Sequence, residues 1–435
     1  MSILSLILIQ PPSIKHGRFL ISAICFVRNV MSLLYNFLLL QLLILCHVFV
    51  LAKKKFDSKP EIKLGTPELI KRDGYPIEVH KVITEDGYIL EIHRIPHGKN
   101  NYKSNLTTSK SPILIQHGLA SSSADWILMG PNEALGYILA DAGYDVWLGN
   151  NRGNIYSKNH ISMAPSNRRF WDFSYHELGV YDLPAMIDYV LNCTKREKLF
   201  YIGHSQGTTQ FWVMMSQKPT YNAKIQLMVG LAPAAFTGNI RGPITKLARL
   251  TYMGVWIGEA FGYPEVRSRS VWEKFVSNTL CQNATSQFFC NNFLFIVTGL
   301  SQTNLSTANL TMIMNHIPAG ASWKQVVHFG QGYIHPNHFR QFDYDNEQKN
   351  KRIYNSSIPP EYELNKVIAP VALFSSDGDR LATPEDTVLL KEKLGNVVFH
   401  KEIFMDSFTH YNFIWGKASI TTVFEPILGL LAQYK

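Results

Sequence analysis

A serine stands between two glycines directly after an apolar run: Gly203-His204-Ser205-Gln206-Gly207 follows Leu199 to Ile202. A serine hydroxyl is a weak nucleophile at neutral pH unless an imidazole takes its proton and a carboxylate orients that imidazole. Both partners are present downstream. Ser376-Asp377-Gly378-Asp379 follows one apolar stretch, and Met405-Asp-Ser-Phe-Thr-His410 follows the next. Where such a serine sits between strand and helix, its partners come in the order acid, then histidine, in loops at the carboxyl ends of later strands. The expected roles are Ser205 as nucleophile, His410 as base and Asp379 as acid, with Asp377 the rival acid on the same turn. His400 falls inside a strand pattern, where packing on a sheet face accounts for it.

Acyl transfer also needs two backbone N–H donors for the oxyanion, one after the nucleophile and one in the loop after an earlier strand. Gln206 supplies the first. In His117-Gly118-Leu119 the second is expected from Leu119, with Gly118 allowing close backbone approach and His117 structural. Gly203 and Gly207 flank a turn too tight for side chains.

These residues need a scaffold of buried strands. Pro112–His117, Tyr144–Leu148, Lys198–Ile202, Ile225–Gly230, Val371–Ser375 and Val397–Phe404 read as strands. Helix patterns fall between them, as at Asn132–Ala142, Tyr181–Leu191 and Thr208–Ser216. The alternation predicts an α/β fold with a mostly parallel central sheet flanked by helices. It lapses over 234–369, an aromatic, helix-leaning insertion, so the expected division is leader 1–52, core 53–233, cap 234–369 and core 370–435.

The 435 residues are 46% hydrophobic and 17% charged, enough for a large core. The formal charge of +9 includes Lys15, Arg18 and Arg28 of the leader, which has no acid. Without the leader the excess is about +6, too mild for a nucleic-acid footprint. Leu33–Ala52 is a long apolar run after Arg28 that ends in a small-residue cleavage pattern. It predicts entry into the secretory pathway, with a retained anchor of about 20 residues as the alternative, and Met31 is a second possible start. Six N-x-S/T sequons at Asn105, Asn192, Asn283, Asn304, Asn309 and Asn355 agree with export. Cys193, Cys281 and Cys290 remain in the mature chain, and Cys281 with Cys290 could close a short loop in an oxidising compartment. His335-Pro-Asn-His338 lacks the further ligands of a zinc site, and Gly149-Asn-Asn-Arg-Gly153 lacks phosphate-loop spacing. Trp126, Trp147, Trp171 and Trp323 are expected in the core. No metal or cofactor is expected.

The motifs together resemble the acid lipases of gastric and lysosomal type within the α/β-hydrolase superfamily. The resemblance runs from about Thr66 to the C-terminus through Gln116-His-Gly-Leu119, Gly143–Gly153, Phe170-Trp-Asp-Phe-Ser174, Tyr181-Asp-Leu-Pro184, Gly203–Thr209 and His410-Tyr-Asn-Phe-Ile-Trp415. It implies the Ser205, Asp379 and His410 triad, favours Asp379 over Asp377, and implies Leu119 and Gln206 as oxyanion donors. It also implies a helical cap and a Cys281–Cys290 disulfide. One departure is Val297, where some relatives carry a third cap cysteine; another is Cys193 inside a sequon. The implied function is a secreted or lysosomal serine lipase acting on acylglycerols or steryl esters at a membrane or lipid-droplet interface. A catalytically silent binding module on the same fold is the alternative, as is a thioesterase or peptidase sharing the triad. Within Ile240–Tyr263, apolar Ile244, Leu247, Leu250, Met253, Val255, Trp256 and Ile257 alternate with Arg241, Lys246 and Arg249, as in a segment that meets an anionic interface. Packing of the cap on the sheet would use the same residues.

Overall fold

Runs of β-branched and large apolar residues form the middle of a nine-stranded sheet. In this computed structural model the described residues are 64–99, 110–242, 244–266, 312–313 and 315–435. They belong to the larger of two units, Lys59–Lys435. The leader, Cys281, Cys290, Asn105, Asn283, Asn304 and Asn309 lie outside them. The main strands are β1 (Glu78–Ile83), β2 (Tyr88–Ile95), β3 (Pro112–Gln116), β4 (Asp145–Leu148), β5 (Leu199–His204), β6 (Ile225–Leu231), β7 (Val371–Ser376) and β8 (Val397–Ile403). Their order is β1-β2-β4-β3-β5-β6-β7-β8, and the two-residue strand Asn159–His160 pairs with β2.

From β4 to β8 every pair is parallel. β1 and β2 add an antiparallel edge that the strand pattern above does not include. Each central strand is buried on both faces, so its residues alternate between two cores. Ile113, Ile115, Phe200 and Ile202 pack into one core, and Leu114, Tyr201, Met228 and Leu373 into the other. Helices cover both faces. α1 (Leu183–Thr194) extends a π-helical turn over Leu178–Asp182, and α2 (Gln206–Gln217) follows β5 directly. The helix expected from Asn132 begins at Leu135, because Asn132 adopts φ 68°, which a right-handed helix excludes. Trp126, Trp147 and Trp171 are buried, and Trp323 is partly so.

Between β6 and β7 the described part of the insertion contains α3 (Thr251–Phe261) and α4 (Trp323–Ile334). A short ribbon pairs Glu265–Val266 with Ala321–Ser322. α4 starts at a capping box in which the Ser322 hydroxyl and the Gln325 side chain satisfy each other's backbone N–H groups. Among the described residues no helix is long and apolar enough to cross a membrane.

Candidate active site

β5 ends at His204 and α2 begins at Gln206, so Ser205 makes the whole reversal, at φ 53° and ψ −119°. A side-chain-bearing residue is strained there by the order of 1–3 kcal/mol. Neighbouring bonds hold it in place. Ser205 N–H donates to Leu231 O at 3.0 Å, while the N–H and hydroxyl of Thr208 donate to Ser205 O at 2.8 and 2.7 Å. The flanking glycines let backbones touch: a Cβ on Gly203 would lie 2.7 Å from the Gly207 carbonyl, and one on Gly207 only 2.3 Å from Gln116 O. Ser205 is partly exposed, and its hydroxyl makes no hydrogen bond among the described residues.

His410 arrives on the loop after β8 and is buried. Its Nδ1 lies 2.8 and 3.1 Å from the two carboxylate oxygens of Asp379. Asp379 is fully buried and accepts the N–H groups of Leu381 and Ala382 at 2.8 and 3.0 Å. Asp377 instead accepts the N–H of Met405 at 2.8 Å and braces the loop. A carboxylate on Nδ1 assigns the proton to that nitrogen and leaves Nε2 basic. His400 bonds the Ser375 hydroxyl within the sheet, at 2.9 Å, away from this cluster.

The N–H groups of Leu119 and Gln206 have no partner among the described residues. A Cβ on Gly118 would lie 3.3 Å from Ser205 Cβ, which places the 117–119 loop against the elbow. His117 is fixed within that loop. Its Nε2 accepts the N–H of Asn151 at 3.1 Å, so Nδ1 carries the proton and donates to Gly118 O at 2.7 Å. Burial pushes its pKa down to about 4, against the bond to Gly118 O, which raises it. Gln206 is held from the insertion as well: Gln325 Nε2 donates to its side-chain oxygen at 3.1 Å, and Ser322 Oγ donates to Trp171 O at 2.5 Å.

Residues 66–130 match the partial alpha/beta-hydrolase lipase region, and residues 111–248 match the alpha/beta hydrolase fold. Gastric triacylglycerol lipase of Bos taurus is 38% identical over 383 residues, 88% of this chain and 94% of that protein. Lysosomal acid lipase/cholesteryl ester hydrolase of Homo sapiens is 36% identical over 376 residues, 86% of this chain and 92% of that protein. The chain belongs to the acid lipase family. A candidate lipase from Sulfolobus solfataricus shares the fold, with a TM-score of 0.54 at 14% identity over 82% of this chain and 94% of that one. As an acid lipase family member, the protein is an ester hydrolase of lipase type on an α/β-hydrolase scaffold.

The sequence motifs around this candidate site contain residues whose roles only the structure gives. Arg152, fully buried inside Gly149–Gly153, forks onto Asp182 at 2.7 Å and Asp86 at 2.5 and 2.8 Å and stacks over Tyr88 at 3.9 Å. It thereby fixes the loop whose Asn151 holds His117. The cue was an arginine in a glycine-rich stretch, which reads equally well as a surface turn. His335 bonds the Tyr252 hydroxyl and His338 pairs with Glu361, each at 2.5 Å. No group of three or more metal-ligating side chains occurs among the described residues.

α3 of this lipase is two-faced. Thr251, Val255 and Gly258 are buried, whereas Met253 is 53%, Trp256 65% and Phe261 59% exposed, with Leu250 and Ile257 also exposed. Val255 therefore differs from its neighbours: it packs with Tyr263, Val327 and Phe342, while the others face outward. Ile244 is half-buried, Lys246 and Arg249 are exposed, Arg241 pairs with Glu385, and the Leu247 side chain lies outside the described residues. Asn192 and Asn355 are exposed, and Cys193 is an exposed free thiol.

Proposed function

We propose that this acid lipase hydrolyses acylglycerols or steryl esters through a covalent acyl-enzyme on Ser205. The observation that carries this reading is an unengaged serine on a strained elbow whose preceding residue, His204, bonds the main chain of His410, a buried imidazole with its Nδ1 held by buried Asp379. Ser205 Oγ attacks the ester carbonyl as its proton passes to His410 Nε2. The N–H groups of Leu119 and Gln206 receive the oxyanion. His410 then returns the proton to the departing alcohol, and a water activated by His410 releases the acid. Asp379 stays ionised and holds the imidazole.

The region 234–369, between core segments 53–233 and 370–435, is the cap. The outward row of Leu250, Met253, Trp256, Ile257 and Phe261, flanked by Lys246 and Arg249, suits contact with an anionic lipid surface. The leader, the six sequons and a Cys281–Cys290 disulfide fit a secreted or lysosomal protein, and the relatives named gastric and lysosomal support that route.

The test is hydrolysis of emulsified trioleoylglycerol, cholesteryl oleate and a short soluble ester at acidic and neutral pH, by the wild type and Ser205→Ala. Wild-type turnover of the lipids, with a loss of at least ~10⁴-fold in the variant, is expected. A variant with substantial residual turnover would falsify the acyl-enzyme mechanism.

A further inference from the structure

The imidazole of His204 lies beside the triad without a part in the steps above. It ends β5 and is fully buried, its ring 4.9 Å from that of His410 and 5.5 Å from that of Tyr411. Its Nε2 is 2.8 Å from the main-chain oxygen of His410, 206 residues along the chain. A carbonyl can only accept, so Nε2 carries the proton. Nδ1 is then a bare nitrogen, and it has no partner among the described residues. A buried imidazole with one nitrogen unsatisfied is costly, and an apolar ring of similar shape would avoid that cost.

The sheet order explains what the bond does. His410 comes from the end of β8, three strands from β5 in the order β5-β6-β7-β8. At about 4.8 Å per strand, the base must reach roughly 14 Å across the sheet edge to meet Ser205. The other holds on its loop are local or attach to β7: Ser376 Oγ donates to Phe408 O at 2.7 Å, and Thr409 N–H donates to Asn412 Oδ1 at 2.8 Å. The His204 bond attaches the tip of the loop to the strand that delivers the nucleophile.

We infer that His204 is a positioning residue: by donating Nε2–H to the His410 carbonyl it ties the base-bearing loop to the nucleophile elbow and sets the distance between His410 and Ser205. The inference rests on reading Ser205, His410 and Asp379 as the triad. Burial, then the neighbouring His410 charge, pushes the His204 imidazole well below its ordinary value, so it stays a neutral donor in acid. It also adds no second positive charge when His410 becomes imidazolium.

The experiment compares His204→Phe, which keeps a ring and loses the donor, with His204→Gln, whose amide reaches about as far as Nε2. The full chain is assayed on a soluble short ester for kcat and KM, with thermal midpoints in parallel. His204→Phe is expected to keep KM within about 2-fold and lose roughly 10- to 100-fold in kcat, the scale of a 1 Å misplacement. His204→Gln should recover most of kcat. Should His204→Phe fail to fold, His204→Asn replaces it, because its shorter amide stops short of the carbonyl. Wild-type kcat in the donor-free variant overturns the inference, and so do equal losses of kcat in both variants, which would assign His204 to packing. Ser205→Ala runs alongside, and full turnover there would remove the triad reading whatever the His204 variants do.

Discussion

Replacing Asp125 by Asn should flatten the pH dependence of this protein's stability. Asp125 lies in the turn Ser123–Trp126, just beyond the 117–119 loop, and is 1% exposed. Ser121 Oγ donates to its Oδ1, while Oδ2 has no partner among the described residues. Burial pushes the carboxyl from 3.8 up to about 7, with the Ser121 bond pulling the other way. At about 1.36 kcal/mol per unit, the difference is of the order of 4 kcal/mol. The folded-state value is raised, so the folded protein holds a proton that the unfolded chain releases above about pH 4. The contribution of Asp125 to stability is therefore most favourable below that pH and falls as the pH climbs to about 7. Asn cannot ionise. The variant should match the wild type near pH 4 and exceed it by up to about 4 kcal/mol at pH 7.5. For the unit Lys59–Lys435 that is roughly 5 °C in Tm, at an unfolding entropy of about 2.1 cal/mol/K per residue. Thermal midpoints at one scan rate from pH 4 to pH 8 read the effect directly. Parallel curves for wild type and variant would mean that Asp125 is ionised in the fold and that its burial carries no such penalty.

The two candidate acids separate cleanly: Asp379→Asn should lower kcat by roughly 10⁴-fold on any ester, and Asp377→Asn should retain most activity, a reversal assigning the acid role to Asp377. Gly207→Ala drives a Cβ to 2.3 Å from Gln116 O, so it should cost about 1–3 kcal/mol or more in stability and displace the elbow from β3; an unchanged Tm with full activity would contradict that contact. Trp256→Glu should weaken turnover of emulsified long-chain ester by about 10-fold or more, from the lost burial of a large side chain, and leave a short soluble ester untouched; equal falls for both would make α3 a stability element.

The elbow was readable because three signals coincide at Ser205: a buried strand before it, glycines on either side and an apolar helix after it. Position favours Asp379 as the acid and keeps Asp377 as its rival, since both follow β7. The turn supports that reading: backbone N–H groups of Leu381 and Ala382 hold the Asp379 carboxylate that bonds His410, while the N–H of Met405 bonds Asp377. The β1–β2 hairpin escaped notice because its outer strand is half-exposed and interleaves Glu78, His80 and Lys81 with apolar residues, so it presents no apolar run. On α3, Val255 and Trp256 look alike in composition. Only the phase of the helix against α4 puts one inside and the other in solvent. His204 stood in plain view within the motif, but its role depends on a carbonyl 206 residues away, which no local pattern encodes.

The hydrogen bond from Gln325 to Gln206 sets a limit on how this scaffold can be recombined. The insertion between β6 and β7 interrupts the central sheet, which invites an exchange of that whole stretch as a cassette. Here such a graft would carry away Gln325 and Ser322, and with them the grip on the residue next to Ser205 and on the Trp171 backbone. A cut that keeps both bonds stops before Ala321, and a replacement for α3 must still present Val255 to Val327 of α4. Donor segments joined inside that boundary would leave the bond to Gln206 in place, whereas whole-cassette transplants would need Gln325 reintroduced to restore it.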